Sequence, residues 1–315
     1  MERAYRSLVS TEDLSDVDLR EIVDRGVEHA TSRAAPSRSL AGDVVGLYFE
    51  MTSTRTRTAF SAGALRLGAQ IISFGPGDLQ TNTGESFDDT GQVLARMLDV
   101  MVIRTGRPQS ELAAWVAQKT MGTVNAMTQD QHPTQALTDL VTMQQRFGTI
   151  EGLRVCYVGE GNNTAAAIAL ALPRYPGVVL EMRTPPGYGL RPEIAARAAA
   201  IAAACGSSFV ERHDLDTPPR SLDVVYTTRW QTTGTSKPTP NWRETFAPFQ
   251  VTSRFWQDSP EAVFMHDLPA HRGEEVTADV LDGPMSIAMD QAENKMHSAM
   301  AVLEWCRGVR PGAVR

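Results

Sequence analysis

Residues 49–63 read FEMTSTRTRTAFSAG, with two arginines and four hydroxyl residues in the six positions 53–58. The run before them, VVGLYF (44–49), is short, β-branched and aromatic and follows Gly42-Asp43, so it reads as a buried strand. The run after them, AFSAGALRLGA (59–69), repeats its apolar residues at helical spacing. The hydroxyls and guanidiniums therefore fall where a strand ends and a helix begins. Backbone N–H groups there lack intrahelical partners, and the helix dipole favours an anion. Ser53, Thr54 and Thr56 add hydroxyl donors, and Arg55 and Arg57 add forked cations suited to phosphate. Helix capping alone accounts for Ser53 or Thr54 but not for the repeated Thr-Arg pairs. The stretch reads as an oxyanion site inside an α/β fold.

Working outward, the strand-like runs continue. QIISFG (70–75), DVMVIRT (99–105) and TVNAMT (123–128) precede RVCYVG (154–159), VVLEMRT (178–184), SSFVER (207–212), DVVYTTR (223–229) and AVFMHD (262–267). Between them fall helical stretches such as SFDDTGQVLARML (86–98), HPTQALTDLVTMQQRF (132–147) and RPEIAARAAAIAAAC (191–205). Such alternation predicts parallel sheets covered by helices, and nine strands suffice for two sheets. GTIEGL (148–153) is the natural seam, and MDQAENKMHSAMAVLEWC (289–306) reads as a closing helix.

A length of 315 residues allows two domains with proper cores, or one large one. A formal net charge of −7 argues against nucleic acid as a main partner. No run reaches the length of a membrane span, and MERAYRSLVSTEDLSDVDLREIV has no apolar signal region. Thr11 before Glu12-Asp13, and Ser15 before Asp16, read as helix starts instead. Cys156, Cys205 and Cys306 lie far apart, an odd set that suits reduced thiols and a cytoplasmic protein. His266 and His271 are the closest histidines but share no metal-ligand spacing, which leaves a metal site open but unsupported, and no cofactor is expected.

Other groups could do chemistry. Arg104 ends a strand in VIRTGR, where open α/β sheets bind ligands. In DQHPTQALTDL (130–140), Pro133 suits a helix start, and His132 and Gln135 lie within one turn. VGEGNNTAAAIAL (158–170) opens like a dinucleotide fingerprint, with Glu181 about twenty residues on. The third glycine is replaced by Thr164, which makes that match weak. In FMHDLPAHRGEEVT (264–277), Leu268-Pro269 predicts extended backbone with an exposed carbonyl, beside Asp267 as an acceptor for a cation.

In order along the chain, STRTR (53–57), GESFDDTGQVLARMLDVMVIR (84–104), HPTQALTDL (132–140), VGEGNN (158–163), HDLPAHRGEEVT (266–277) and DQAENKMH (290–297) resemble the aspartate/ornithine carbamoyltransferase family, on the ornithine side. The resemblance covers essentially the whole chain. It implies a carbamoyl phosphate domain over 1–148, an acceptor domain over 149–285, a last helix (286–308) returning to the first domain, and a site in the cleft between them. It also implies a homotrimer with shared sites, because GDLQTNTG (77–84) resembles the loop lent by a neighbour, with Gln80 at the family's glutamine. Ser53, Thr54, Arg55 and Thr56 would hold the phosphate. Arg104, His132 and Gln135 would hold the carbamoyl end, and the backbone of Asp267-Leu268 the carbamoyl amide. Lys295 stands for the arginine of the family's "AENR". Thr56, Arg104 and His132 would face the oxygen on which negative charge grows.

The acceptor half departs from that pattern. The family's "HCLP" is HDLP, with Asp267 in place of the cysteine. Its D-x-W-x-S-M-G is Thr228-Arg229-Trp230-Gln231-Thr232-Thr233-Gly234, so Thr228 replaces the aspartate and Thr232-Thr233 replace Ser-Met. Asn163 keeps the family's asparagine. GTSKPTPNW (234–242) replaces a usually charged stretch. A negative group has moved from position 228 to position 267, so the expected acceptor is a small amine other than ornithine, in a setting such as specialised-metabolite biosynthesis. Ornithine itself, or a catalytically silent regulatory homologue, are the alternatives.

Overall fold

The computed structural model describes residues 5–32, 37–232 and 235–309. Packing divides the chain into two compact units, one running to Gln145 and resuming at Glu293, the other spanning Arg146–Ala292. The division falls inside the helices Pro133–Phe147 and Ala288–Cys306, so one helix leaves the first unit and another re-enters it.

In the first unit, β1 (Val44–Phe49), β2 (Gln70–Phe74), β3 (Val100–Arg104) and β4 (Gly122–Asn125) form a parallel sheet in the order β2-β1-β3-β4. All five residues of β3 are buried between its neighbours, which is why it reads VMVIR without alternation. β2 closes one edge and is mostly exposed. The N-terminal stretch covers the other edge: Leu8 N donates to Thr123 O at 2.8 Å, and Asn125 N to Leu8 O at 2.8 Å.

The second unit carries β5 (Arg154–Val158), β6 (Val179–Arg183), β7 (Ser208–Arg212), β8 (Val224–Thr227) and β9 (Val263–His266), all parallel, in the order β7-β6-β5-β8-β9. Its core packs Cys156, Val158, Val225 and Phe264 from the central strands against Phe249, Phe255 and Val280. The fold is thus α/β, with two parallel sheets and the helices that connect their strands.

Several boundaries differ from the sequence reading for local reasons. The helix expected from 59 begins at Arg55 and ends at Arg66, because Gly68 turns the chain at φ +85°. The helix expected over 86–98 stops at Leu94. The strand expected over 123–128 ends at Asn125, whose side-chain carbonyl takes Met127 N at 3.0 Å and bends the backbone. The first turn, Thr11–Asp13, is capped by Ser10 rather than started by Thr11. Leu268 is not extended: its φ is +55°, and the Leu268–Pro269 peptide is cis. Among the described residues, no helix is long and apolar enough to cross a membrane.

The closing helix is fastened by buried charge. Glu304 accepts from Arg25 Nε at 2.7 Å and Ser39 Oγ at 2.6 Å, and pairs with His29 Nε2 at 2.9 Å. Burial alone would raise its carboxyl, but the bonds from His29, Arg25 and Ser39 outweigh burial and bring it down to about 2, against an ordinary 4.5. A depressed carboxylate contributes stability above its unfolded pKa and loses it as pH falls toward the folded value. The contribution is about 3 kcal/mol at neutral pH. A Glu304→Gln variant should therefore unfold more easily at pH 7, by on the order of 3 kcal/mol, and show a flatter acid limb between pH 4.5 and 2 in urea titrations.

Candidate active site

The carboxyl ends of β1, β3 and β4 carry the groups singled out in the first half of the chain, as parallel α/β sheets require. Register sets Phe49 beside Arg104, and Glu50 N donates to Arg104 O at 3.0 Å. The 53–57 stretch follows as the first turn of the helix Arg55–Arg66. Thr54 is its N-cap but makes no capping bond with its hydroxyl, so the first turn gains no side-chain cap from the hydroxyl cluster. Thr56 is buried, while Ser53 and Arg55 are half-buried. Arg57 turns the other way and donates to Ser73 Oγ of β2 at 2.7 Å, which removes it from the anion set that the sequence suggested.

Arg104 is buried, with Nη1 3.4 Å from His132 Nε2. His132 precedes the helix Pro133–Phe147, and its Nδ1 lies 3.2 Å from Thr134 Oγ1. Burial, reinforced by the charges of Arg104 and Lys295, holds this imidazole well below the usual histidine range, so it is neutral at physiological pH. A hydroxyl can donate or accept, so Thr134 is able to support either ring tautomer. Gln135, one turn into the helix, donates to Asp139 Oδ1 at 2.7 Å and accepts from Lys295 Nζ through Oε1. Lys295 arrives from the closing helix and is itself buried. Arg104, His132, Gln135 and Lys295 therefore form one buried, cationic, polar cluster. Gln80 lies apart from it, exposed at the start of the 3₁₀ turn Gln80–Thr83, where its side chain accepts from Thr83 Oγ1 at 2.9 Å.

In the second unit, the ends of β5, β8 and β9 are adjacent by register. Asn163 opens the helix Asn163–Ala171 and is buried. Asn162 caps that helix, its carbonyl accepting from Thr164 N and Ala165 N at 3.0 Å each. The two glycines before it have structural reasons to be glycine. Gly159 sits at φ +135°, and a Cβ on Gly161 would lie 2.3 Å from the backbone of Gly189. Backbone 188–190 thus covers Gly161, with Gly161 N donating to Tyr188 O at 2.7 Å. The close approach that a dinucleotide fingerprint reserves for pyrophosphate is taken by the chain itself.

Asp267 follows β9, and its carboxylate accepts from Thr228 Oγ1 at 2.9 Å and Thr164 Oγ1 at 3.2 Å. The two positions across which the charge has moved are thus in direct contact. Beneath them, His266 Nδ1 accepts from Leu268 N at 2.8 Å, and its Nε2 lies 3.2 Å from the buried Glu275. This support for the 267–268 turn was not foreseen, although Glu275 stands in the same quoted motif. Thr232 Oγ1 accepts from Asn162 Nδ2 at 3.0 Å and donates to Glu160 at 3.1 Å. Thr233 lies outside the described residues. Among the described residues no His/Cys/Asp/Glu group is placed to hold a metal ion.

Comparison with known proteins identifies the family. The carbamoyl-P-binding domain of the aspartate/ornithine carbamoyltransferases matches residues 6–145, and their Asp/Orn-binding domain matches residues 151–306. An ornithine carbamoyltransferase from Symbiobacterium thermophilum is 38% identical over 95% of this chain and 96% of its own length. One from Methanothermobacter thermautotrophicus is 36% identical over 96% and 99%. The solved ornithine carbamoyltransferase of Pyrococcus furiosus superposes with a TM-score of 0.90 at 34% identity, covering 99% of both chains. With both domain models matched and relatives aligned along nearly all its length, this chain belongs to the aspartate/ornithine carbamoyltransferase family and is a carbamoyltransferase.

Proposed function

We propose that the enzyme moves the carbamoyl group of carbamoyl phosphate to a small amine other than ornithine, giving a ureido product and phosphate. The donor half of this reading rests on the buried Arg104–His132–Gln135–Lys295 cluster beside the 53–57 turn. Ser53, Thr54, Arg55 and Thr56 bind the phosphate, with Lys295 and a neighbour's Gln80 adding to the charge and donors around it. Arg104, His132 and Gln135 hold the carbamoyl end, and the backbone of Asp267-Leu268 takes its amide.

The uncharged amine attacks the carbonyl carbon. A C–N bond forms, negative charge grows on the oxygen, and the C–O bond to phosphate breaks. The departing phosphate takes the amine's proton. Thr56 and Arg104 donate to the growing charge, as does His132 when its proton sits on Nε2. The low pKa of His132 suits this role, since a neutral ring adds no second cation beside Arg104.

One observation carries the acceptor reading: the Asp267 carboxylate, 2.9 Å from Thr228 Oγ1, on the turn that contacts the carbamoyl amide. Here Asp267, with Asn163, Thr228, Thr232 and Thr233 around it, reads a cationic or hydrogen-bonding group on the acceptor. The names of the relatives favour ornithine as the second reading. The three free cysteines, Cys156 and Cys306 buried, support a reducing cytoplasmic setting. Homotrimeric assembly is supported by the exposed Gln80 turn.

Two measurements test the proposal. Phosphate release from carbamoyl phosphate with a panel of amines should single out an acceptor other than ornithine, and Thr56→Val or Arg104→Lys should lower kcat about a hundredfold or more. Failure to release phosphate with any amine of the panel points to a silent homologue. In the second, the Thr228→Asp, Asp267→Cys double variant should gain citrulline formation from ornithine; a wild type that already makes citrulline rapidly, or a double variant that gains none, sinks the acceptor assignment.

A further inference from the structure

The stretch that replaces the family's charged segment carries Lys237, and the second unit has built a receptacle for it. Its side chain is only 3% exposed. The ammonium lies 4.9 Å from the ring centroid of Phe246, 5.1 Å from Tyr188 and 5.7 Å from Trp242, and it is hydrogen-bonded to Glu160. Three aromatic faces and a carboxylate make an aromatic cage, a site chemistry otherwise used for ligand ammonium groups. The rings support one another: Trp242 and Tyr188 each meet Phe246 edge-on, at 5.3 and 4.7 Å between centroids. Trp230 adds a fourth ring 5.7 Å from Phe246. Arg243 stacks on Trp242 at 4.4 Å.

Glu160 is the link to the acceptor side. One carboxylate oxygen takes Lys237 and the other takes the Thr232 hydroxyl, which itself accepts from Asn162 beside Asn163. The loop also closes locally, with Thr235 N donating to Thr232 O at 3.1 Å and Gln231 Nε2 to Thr235 O at 2.8 Å.

We propose that Lys237 is a positioning residue: its caged ammonium holds Glu160, and through Glu160 the Thr232 hydroxyl, so that the strand-end loop is latched against the β5 turn that carries Asn163. The proposal rests on the reading of Thr232 and Asn163 as acceptor contacts. The cage is an alkylammonium site that the chain fills from within, so Glu160 is neutralised and Asp267 is the carboxylate left to read the acceptor. Burial lowers the Lys237 pKa, and Glu160 offsets part of that effect.

Lys237→Met keeps the cage filled with an unbranched apolar chain and removes only the charge. Amide hydrogen exchange at Thr235, whose N–H is bonded to Thr232 O, should accelerate at least tenfold in that variant, with the global melting temperature little changed. KM for the accepting amine should rise at least tenfold while the Kd for carbamoyl phosphate stays put. Lys237→Arg, which keeps a cation that can stack, should fall between the two. Exchange at the wild-type rate, or an amine KM within twofold of wild type, overturns the latch. Exchange that accelerates in Lys237→Met while the wild type releases phosphate with none of the amines would support the latch and sink the functional reading instead.

Discussion

Asp43 and Asp99 stand immediately before the two central strands of the first unit, and Arg307 pairs with both. Its guanidinium meets Asp43 through two bonds of 2.9 and 3.0 Å and approaches Asp99 at 3.2 Å, with the Arg307 and Asp43 side chains fully buried. Asp99 also accepts from Val44 N at 2.9 Å, which ties the foot of β3 to the foot of β1. Removing one partner would strand a buried charge, a loss of about 3–5 kcal/mol, so the cluster fixes where the last helix lies. That helix also delivers Lys295 to Gln135, near the opposite ends of the same strands. The buried Arg104–His132–Gln135–Lys295 cluster thus depends on an anchor at the opposite end of its sheet's central strands.

The two halves use charge differently. In the first unit, cations gather around a neutral histidine, and three groups bearing N–H donors, from Arg104, Gln135 and Lys295, share one buried place. Such a place is costly without an anion and attractive with one. In the second unit, carboxylates dominate. Glu160 is matched by Lys237, whereas Asp267 accepts from the hydroxyls of Thr228 and Thr164 and lies 3.6 Å from His266 Nδ1, which itself accepts from Leu268 N. Hydroxyls orient a carboxylate without neutralising it, which leaves Asp267 able to attract a donor from outside.

Much of this was legible in the residues. The nine strands were visible because β-branched apolar runs alternate with helical periods, and strands such as VMVIR and VVYT declare burial on both faces. Helix ends were read less well. Arg55–Arg66 starts among hydroxyls and arginines that carry no apolar period, and Leu268 adopts a left-handed backbone that its side chain does not announce. The glycines of VGEGNN suggested a nucleotide, yet one serves a positive φ and the other a crossing backbone. The cage around Lys237 could not be seen at all, since Tyr188, Trp242 and Phe246 meet only through tertiary packing.

The register of each sheet gathers the candidate site's side chains at one end of its own strands, with Arg104 and His132 on one and Thr228 and Asp267 on the other. Thr228 and Asp267, two departures from the family's acceptor pattern, follow strands of the second sheet, while the first unit keeps the 53–57 turn, Arg104 and His132. Under the proposed function, trading residues such as those at 228 and 267 changes what is carbamoylated and leaves the leaving-group chemistry in place. On that reading, inheritance of the reaction and drift of its recipient are separable histories.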